Sequence, residues 1–367
     1  VNTLDNSIPI HEEYANMLIR YLPQNTSAIG YTISGSESIE YAIKIARKYQ
    51  SVLKNDKKDI LVFDNSYHGT TYAAITAGGL CDGETKDFEP LVGGIRKLKT
   101  PTMIIDSKNE FEEEINEYIS YLEQEINRHK DHIAAILFEP VIASGGIFKV
   151  PNKVSKHIQQ KARENNFLII IDEVATGFGR TGNMFGYELI DIVPDIICFS
   201  KAINNGVLPM GAISINKNVY ELFSKNHISI EHFSTQDGNP QCVASALATI
   251  KIFQDKNIII DIVKKGNYME KRLREELKNS PCVKGIRCYG LMIGIELIDV
   301  YENPINNIQL NKIYLKLRKR GLFTYKFYVE GISSGISLFI PYIATFNDMD
   351  VAVHIIEKTL NRTTIYN

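Results

Sequence analysis

The sequence predicts an α/β protein: a large lobe built on a mainly parallel sheet covered by helices, followed by a smaller α+β lobe. Three observations carry this. Apolar runs alternate with amphipathic stretches along the chain up to about residue 255. The apolar runs are near-continuous, the mark of strands buried on both faces of a parallel sheet. Beyond residue 255 the alternation gives way to a long charged helix and a few strands. The expected division is therefore 1–255 for the large lobe and 256–367 for the small one, and 367 residues exceed what one core of roughly 250–300 residues accommodates.

Each element follows from its residues. Ile29–Ser34 reads as a strand, and Glu37–Tyr49 then sets Ile39, Ala42, Ile43 and Ala46 at helical spacing. Asp59–Phe63 is a short buried strand. Phe111–Arg128 is an acidic amphipathic helix, with the strand Ile133–Phe138 after it. Val154–Asn165 reads as helix, and Phe167–Ile171 and Ile196–Phe199 as strands. In the tail, Asp261–Asn279 is helical, Gly285–Leu297 and Ile336–Ile340 are strands, and Leu310–Arg320 is a helix between them.

Composition narrows the function. A formal net charge of −2 gives no electrostatic case for a nucleic acid or an anionic membrane as partner. No stretch approaches the roughly 20 apolar residues that span a bilayer. Cys81, Cys198, Cys242, Cys282 and Cys288 are scattered without a CxxC pair, which disfavours a disulfide framework or a zinc ribbon and implies a reducing, cytoplasmic setting. His129 and His132 have an H-x-x-H spacing beside Lys130 and Asp131, which reads as a solvated helix end; no metal site is expected.

In parallel α/β sheets ligands sit off the carboxyl ends of the strands. Four features fall there. Asp172 ends the apolar run Ile169-Ile-Ile, where a carboxylate needs a positive or hydrogen-bonding partner. Lys201 follows the run Ile196–Phe199, and a desolvated lysine is a nucleophile able to form a Schiff base. Ser34-Gly35-Ser36 opens a helix whose first N–H groups can bind phosphate, and Gly35 allows close approach. Ser66-Tyr67-His68-Gly69 offers an aromatic ring to stack on a planar group. Each alone has an ordinary structural explanation: a loop-capping acid, a snorkelling lysine, a plain N-cap, a core-edge tyrosine. Together they supply an amine, an acid, a phosphate cradle and an aromatic plate, which is the kit for pyridoxal phosphate. A competing motif, Gly177-Phe-Gly179-Arg-Thr-Gly182 with Asp195 beyond it, matches a dinucleotide fingerprint literally. That fingerprint should open a helix, and Asn183–Tyr187 gives no helical start.

These residues stand in longer stretches: SGSESIEYAIKIAR (34–47), NSYHGTTYAAITAGG (65–79), AAILFEPVIASGG (134–146), IIIDEVATGFGRTGNMFGYE (169–188), PDIICFSKAINNGVLPMGAI (194–213) and HFSTQDGNP (232–240). In them the chain resembles the class III, fold-type I pyridoxal-phosphate aminotransferases. The tail resembles the family more loosely, through YGLMIGIELID (289–299) and SLFIPYI (337–343). The resemblance implies a mainly parallel sheet of the seven-stranded type and a homodimer with shared active sites. It implies that Lys201 carries the Schiff base and shuttles the proton, and that Asp172 pairs with the pyridine nitrogen. Gly35 and Ser36 would bind the phosphate, Tyr67 and Val174 would cover the two faces of the ring, and Glu139 and His68 would belong to the cofactor site. Thr235 would reach the phosphate of the neighbouring subunit.

Departures from the family bear on substrate. Ala175 stands where many members have Gln, a feature shared with the diaminopelargonate aminotransferases of the biotin pathway, as is Pro341-Tyr-Ile. Ser337 stands where members that use glutamate carry an arginine clamp, which argues against an ornithine- or GABA-type enzyme. Lys326 falls where other subgroups place a carboxylate-binding arginine. Ser38-Ile39 replaces the usual Ala-Asn, a change of packing. Members carry several tens of residues ahead of the part that resembles Asn2–Pro23, so Val1 is not expected to be the natural start. The expected activity is ping-pong transamination between a small amine or ω-amino acid and a keto acid or aldehyde. The alternatives are a diaminopelargonate-type enzyme, a racemase or decarboxylase on the same fold, and a non-catalytic binding subunit.

Overall fold

The computed structural model describes residues 7–79, 85–102, 112–255, 257–361, 363 and 365; Val1, Asn2, Cys81 and Phe111, named above, lie outside them. In chain order the elements begin α1 (Pro9–Ile19), β1 (Thr26–Thr32), α2 (Gly35–Val52), β2 (Asp59–Phe63), α3 (Tyr72–Ala77), β3 (Ile95–Leu98) and α4 (Glu112–His129). There follow β4 (Ile133–Phe138), the short hairpin β5 (Val141–Ile142) and β6 (Phe148–Lys149), α5 (Asn152–Asn165), β7 (Leu168–Asp172), α6 (Gly186–Leu189), β8 (Ile196–Phe199) and β9 (Gly211–Asn216). The rest is α7 (Lys217–Lys225), α8 (Pro240–Ile252), α9 (Asn257–Glu276), β10 (Val283–Tyr289), β11 (Met292–Leu297), α10 (Asn307–Lys319), β12 (Tyr325–Val329), β13 (Ser333–Phe339) and α11 (Phe346–Leu360).

The large sheet has seven strands in the order β1-β9-β8-β7-β4-β2-β3. The pairs β2–β3, β2–β4, β4–β7 and β7–β8 are parallel, and β9 runs antiparallel to both β8 and β1. Strand alternation sorts its side chains onto two faces. Leu61, Phe63, Ile136, Phe138, Ile169, Ile171, Ile197 and Phe199 join one core. Ile60, Val62, Ala135, Leu137, Ile170, Ile196 and Cys198 join the other, against Ile39, Ala42, Ile43 and Ala46 of α2. Both faces are covered, which is why these strands are apolar throughout.

The small lobe is an antiparallel sheet, β10-β11-β13-β12, packed on α9, α10 and α11 around a separate core that includes Leu273, Ile295, Leu310, Ile336 and Val353. Here the sequence reading needs two corrections. Gly285–Leu297 is a hairpin of two strands, not one strand. Gly290, at φ +57°, makes the turn, and a Cβ there would stand 2.5 Å from Gly182 N. The strand β12 was not expected. It is an edge strand whose Tyr325 and Lys326 are exposed, so its pattern lacks an apolar run. No helix of the described residues is long and apolar enough to cross a membrane.

Local chemistry sets the helix starts. Ser34 caps α2 by accepting from Glu37 N–H at 3.2 Å, and Glu40 of α2 accepts from Ala73 N–H at 2.8 Å at the head of α3. The departure at Ser38 is a packing device. Fully buried, its hydroxyl bonds Thr32 Oγ1 at 2.7 Å and donates to Ser34 O and Phe199 O, tying α2 to β1 and β8.

Candidate active site

Four parallel strands and β1 end on one edge of the large sheet, and each hands the chain to a polar segment. After β1 comes Ser34-Gly35-Ser36, after β2 Asn65–Gly69, after β4 Glu139, at the end of β7 Asp172, and after β8 Ser200-Lys201. Together they line a cavity of about 1320 Å³, closed on its far side by Tyr325, Lys326, Ser337 and Phe339 of the small lobe and by the start of α9.

Asp172 is 3% exposed. One carboxylate oxygen accepts from Val174 N–H at 2.9 Å, and the other lies 2.8 Å from His68 Nδ1. His68 is itself buried, and its Nε2 has no hydrogen-bond partner among the described residues. Glu139, also 3% exposed, accepts from Tyr67 N–H at 3.1 Å through one oxygen and from Ala143 N–H at 3.0 Å through the other. Burial pushes its carboxyl up to about 7, opposed first by His68 and then by the two N–H donors, with the nearby Asp172 charge adding to the rise.

Lys201 takes a left-handed backbone, φ +46°, as the first residue of a single 3₁₀ turn that follows extended Ser200. A non-glycine residue there carries strain, and such outliers concentrate at functional sites. The sequence reading put Lys201 inside with Asp172. Its side chain is exposed instead, because it stands in the wall of an open cavity.

The head of α2 has steric definition. Gly35 is the first residue of α2, so its N–H and that of Ser36 fall in the turn that lacks intrahelical acceptors. A Cβ on Gly35 would lie 3.0 Å from both methyls of Val174. Gly69, at φ +126°, brings the Tyr67–Thr70 turn against Ser36, whose Oγ accepts from Thr70 N–H at 3.2 Å. The site as it stands fits pyridoxal phosphate. An aromatic ring, a buried acid held by an imidazole, a glycine-lined helix head and an accessible amine line one space.

Tyr67, His68, Glu139, Val174, Ala175, Ser337 and Lys326 all line that cavity; Thr235 does not, and lies exposed on the 228–239 segment. Lys326 Nζ reaches Asn311 Oδ1 at 3.3 Å and stands over the Tyr314 ring. Reading by sequence missed Arg180 as a site residue. Its guanidinium lies 4.5 Å from the Tyr342 ring centroid and donates to Ile340 O at 2.6 Å, at the cavity wall. The signal was a lone charge inside the glycine motif. That motif opens no helix: α6 begins only at Gly186. Asp195, the acid of the dinucleotide reading, is instead half-buried and accepts from Ile169 N–H at 2.8 Å and from the Asn216 amide, a structural role.

A family model described as aminotransferase class-III matches residues 7–360. The adenosylmethionine-8-amino-7-oxononanoate aminotransferase of Anoxybacillus flavithermus is 31% identical over 361 residues, covering 95% of this chain and 78% of that protein. The acetylornithine aminotransferase of Caldanaerobacter subterraneus is 31% identical over 348 residues, 94% of this chain and 79% of that protein. Among solved structures, an amine transaminase from an uncultivated Pseudomonas species in its PLP-bound form superposes with a TM-score of 0.90 at 26% identity, over 99% of this chain and 83% of that one.

Proposed function

The chain belongs to the class III aminotransferase family and is a transaminase that uses pyridoxal 5′-phosphate; from that premise we propose which residues run the reaction and what it acts on. The observation that carries the proposal is the pairing of an accessible amine, Lys201, with a buried acid, Asp172, at adjacent strand ends facing one cavity. The chemistry brought by pyridoxal phosphate is an aldehyde that condenses with amines and a ring that takes up the electron pair left on the donor carbon.

Lys201 Nζ would hold the cofactor through its amine and would serve as the base that moves the proton of the donor carbon. Asp172, oriented by Val174 N–H and by His68, would pair with the cofactor's ring nitrogen. The N–H groups of Gly35 and Ser36 hold the phosphate at the positive end of α2. Tyr67 and Val174 cover the two faces of the ring and keep water from it. Glu139 would lie on the side of the cofactor's phenolic oxygen. Thr235 completes the phosphate site of a second copy, so the working unit is a homodimer. The lobes meet near residue 255, and Cys198, Cys242, Cys282 and Cys288, none of them in a disulfide among the described residues, suit a reducing cytoplasm.

The donor is a small amine or ω-amino acid, and the acceptor a keto acid or aldehyde. Ser337, not a cation, faces the cavity from β13, and Ile258, Ile262, Phe339 and Ile343 give it apolar walls. Lys326 supplies a point charge for a carboxylate at the cavity's edge. The experiment loads the protein with cofactor and adds one amine without an acceptor, using alanine, ω-amino acids, diamines and S-adenosylmethionine in turn. A single stoichiometric change of the cofactor spectrum, reversed by pyruvate, 2-oxoglutarate or a long-chain keto acid, supports the proposal. Continued turnover without acceptor points to a racemase or decarboxylase. Failure to bind the cofactor points to a binding subunit.

A further inference from the structure

Arg287 is fully buried, and the chemistry above does not use it. It sits on β10 in the small lobe. Its guanidinium pairs with Glu296 of β11, which is 2% exposed, and its Nε donates to Gly146 O of the large lobe at 2.8 Å. The guanidinium carbon lies 4.1 Å from the ring centroid of Phe148 and 5.6 Å from that of Phe327. Two apolar residues would join the lobes without the desolvation cost of a buried ion pair. What a guanidinium adds is direction: a flat, rigid fork that aims its donors. The strands and turn around this contact approach closely. A Cβ on Gly294 would stand 3.0 Å from Gly146 O, and one on Gly335 would stand 2.5 Å from Phe327 Cζ.

Gly146 closes the turn 143–146 between β5 and β6. At the other end of this turn, Ala143 gives its N–H to Glu139. In the middle, Gly145 backs onto the chain just before Tyr67, where a Cβ would lie 2.5 Å from Asn65 O. The turn thus supplies one of the two N–H donors to Glu139 and abuts the segment that supplies the other.

We propose that Arg287 is a positioning residue: by holding Gly146 O it fixes the 143–146 turn and, through Ala143 N–H, the carboxyl of Glu139, so that the seating of the small lobe is felt at the cofactor. This rests on the cavity being the pyridoxal-phosphate site.

The test is a pH titration of the bound cofactor's absorbance in the holoenzyme. Arg287→Met with Glu296→Leu removes both buried charges and the hold on Gly146 while keeping an apolar core. Losing an N–H donor should move the inflection governed by Glu139 upward by about one pH unit. The same pair of changes made in Glu139→Gln should leave whatever titration remains unmoved. Glu296→Gln alone, which keeps Arg287 on Gly146, should retain the wild-type inflection. Should the double variant not fold, Arg287→Lys keeps a cation beside Glu296 but loses the Nε donor, and it should show the same upward shift. An unmoved inflection in a folded variant overturns the inference, as does a shift that persists without Glu139. A wild-type chain with no cofactor spectrum overturns the functional reading and this inference with it, whereas a normal spectrum that Arg287 does not influence overturns only the inference.

Discussion

Gly69→Ala probes the contact between the Tyr67–Thr70 turn and the head of α2, on which phosphate binding is proposed to depend. At φ +126° an L side chain is strained, and the new Cβ would stand 2.2 Å from Ser36 Oγ and 2.9 Å from Ser36 Cα. Backbone strain of this kind costs about 1–3 kcal/mol. Relief requires the turn to retreat or Ser36 to give up the bond it accepts from Thr70 N–H, a loss of about 1 kcal/mol net. Together that is about 2–4 kcal/mol, shared between the fold and cofactor binding. The assay is absorbance titration of the cofactor-free chain with pyridoxal phosphate, alongside a thermal melt. The expected result is a lower Tm and a dissociation constant raised about 10- to 100-fold. Gly78→Ala is the control, since its Cβ would meet nothing closer than Ser66 O at 3.4 Å and its φ is −73°. A Gly69→Ala protein with wild-type stability and affinity would refute the contact's importance.

Three further outcomes are expected. Asp172→Asn removes the charge proposed to stabilise the ring nitrogen, and single-turnover rates should fall by about 10²–10³-fold while thermal unfolding changes little; an unaltered rate would remove Asp172 from the chemistry. Glu139 has a folded-state pKa near 7 against an ordinary 4.5, so the folded chain holds a proton the unfolded chain has lost in that window. Stability is therefore fully present below pH 4.5 and falls as pH rises through 7. Glu139→Gln should cancel a pH dependence of about 3 kcal/mol, seen in denaturant melts of the cofactor-free chain from pH 4.5 to 8; equal slopes for both proteins would contradict this. Lys326→Ala should raise KM for a keto-acid acceptor several-fold, up to about tenfold, with kcat nearly unchanged and no effect on an aldehyde acceptor. Equal effects on both acceptors would remove the carboxylate contact.

Much of the fold was legible in the sequence because the large sheet is buried on both faces. Asp59–Phe63, Ile133–Phe138 and Ile196–Phe199 are strands with the boundaries their apolar runs imply. β9 carried no such signal, for Gly211 and the polar Ser214 and Asn216 interrupt it. The β10–β11 hairpin read as one strand because Gly290 is its only break, and Gly290 is required by the approach of Gly182 and Arg180. At the site, order along the chain located Asp172, Lys201 and the helix head. It did not reveal that His68 meets Asp172 across 104 residues, since side-chain partners depend on which strands become neighbours. Nor did it reveal Arg287, whose surroundings come from both lobes. The place of Lys201 just after a buried strand implies a desolvated amine. The residue types at the two strand ends do not distinguish a buried acid held by Val174 N–H and His68 from an amine left facing an open cavity.

The most direct measurement is borohydride reduction of the cofactor-loaded protein followed by peptide mass spectrometry, on the wild-type chain and on Lys201→Ala. The wild type should acquire one pyridoxyl group, on the peptide that contains Lys201, and the variant none. A reducible link that persists in Lys201→Ala, or that maps to another lysine, would contradict the central assignment.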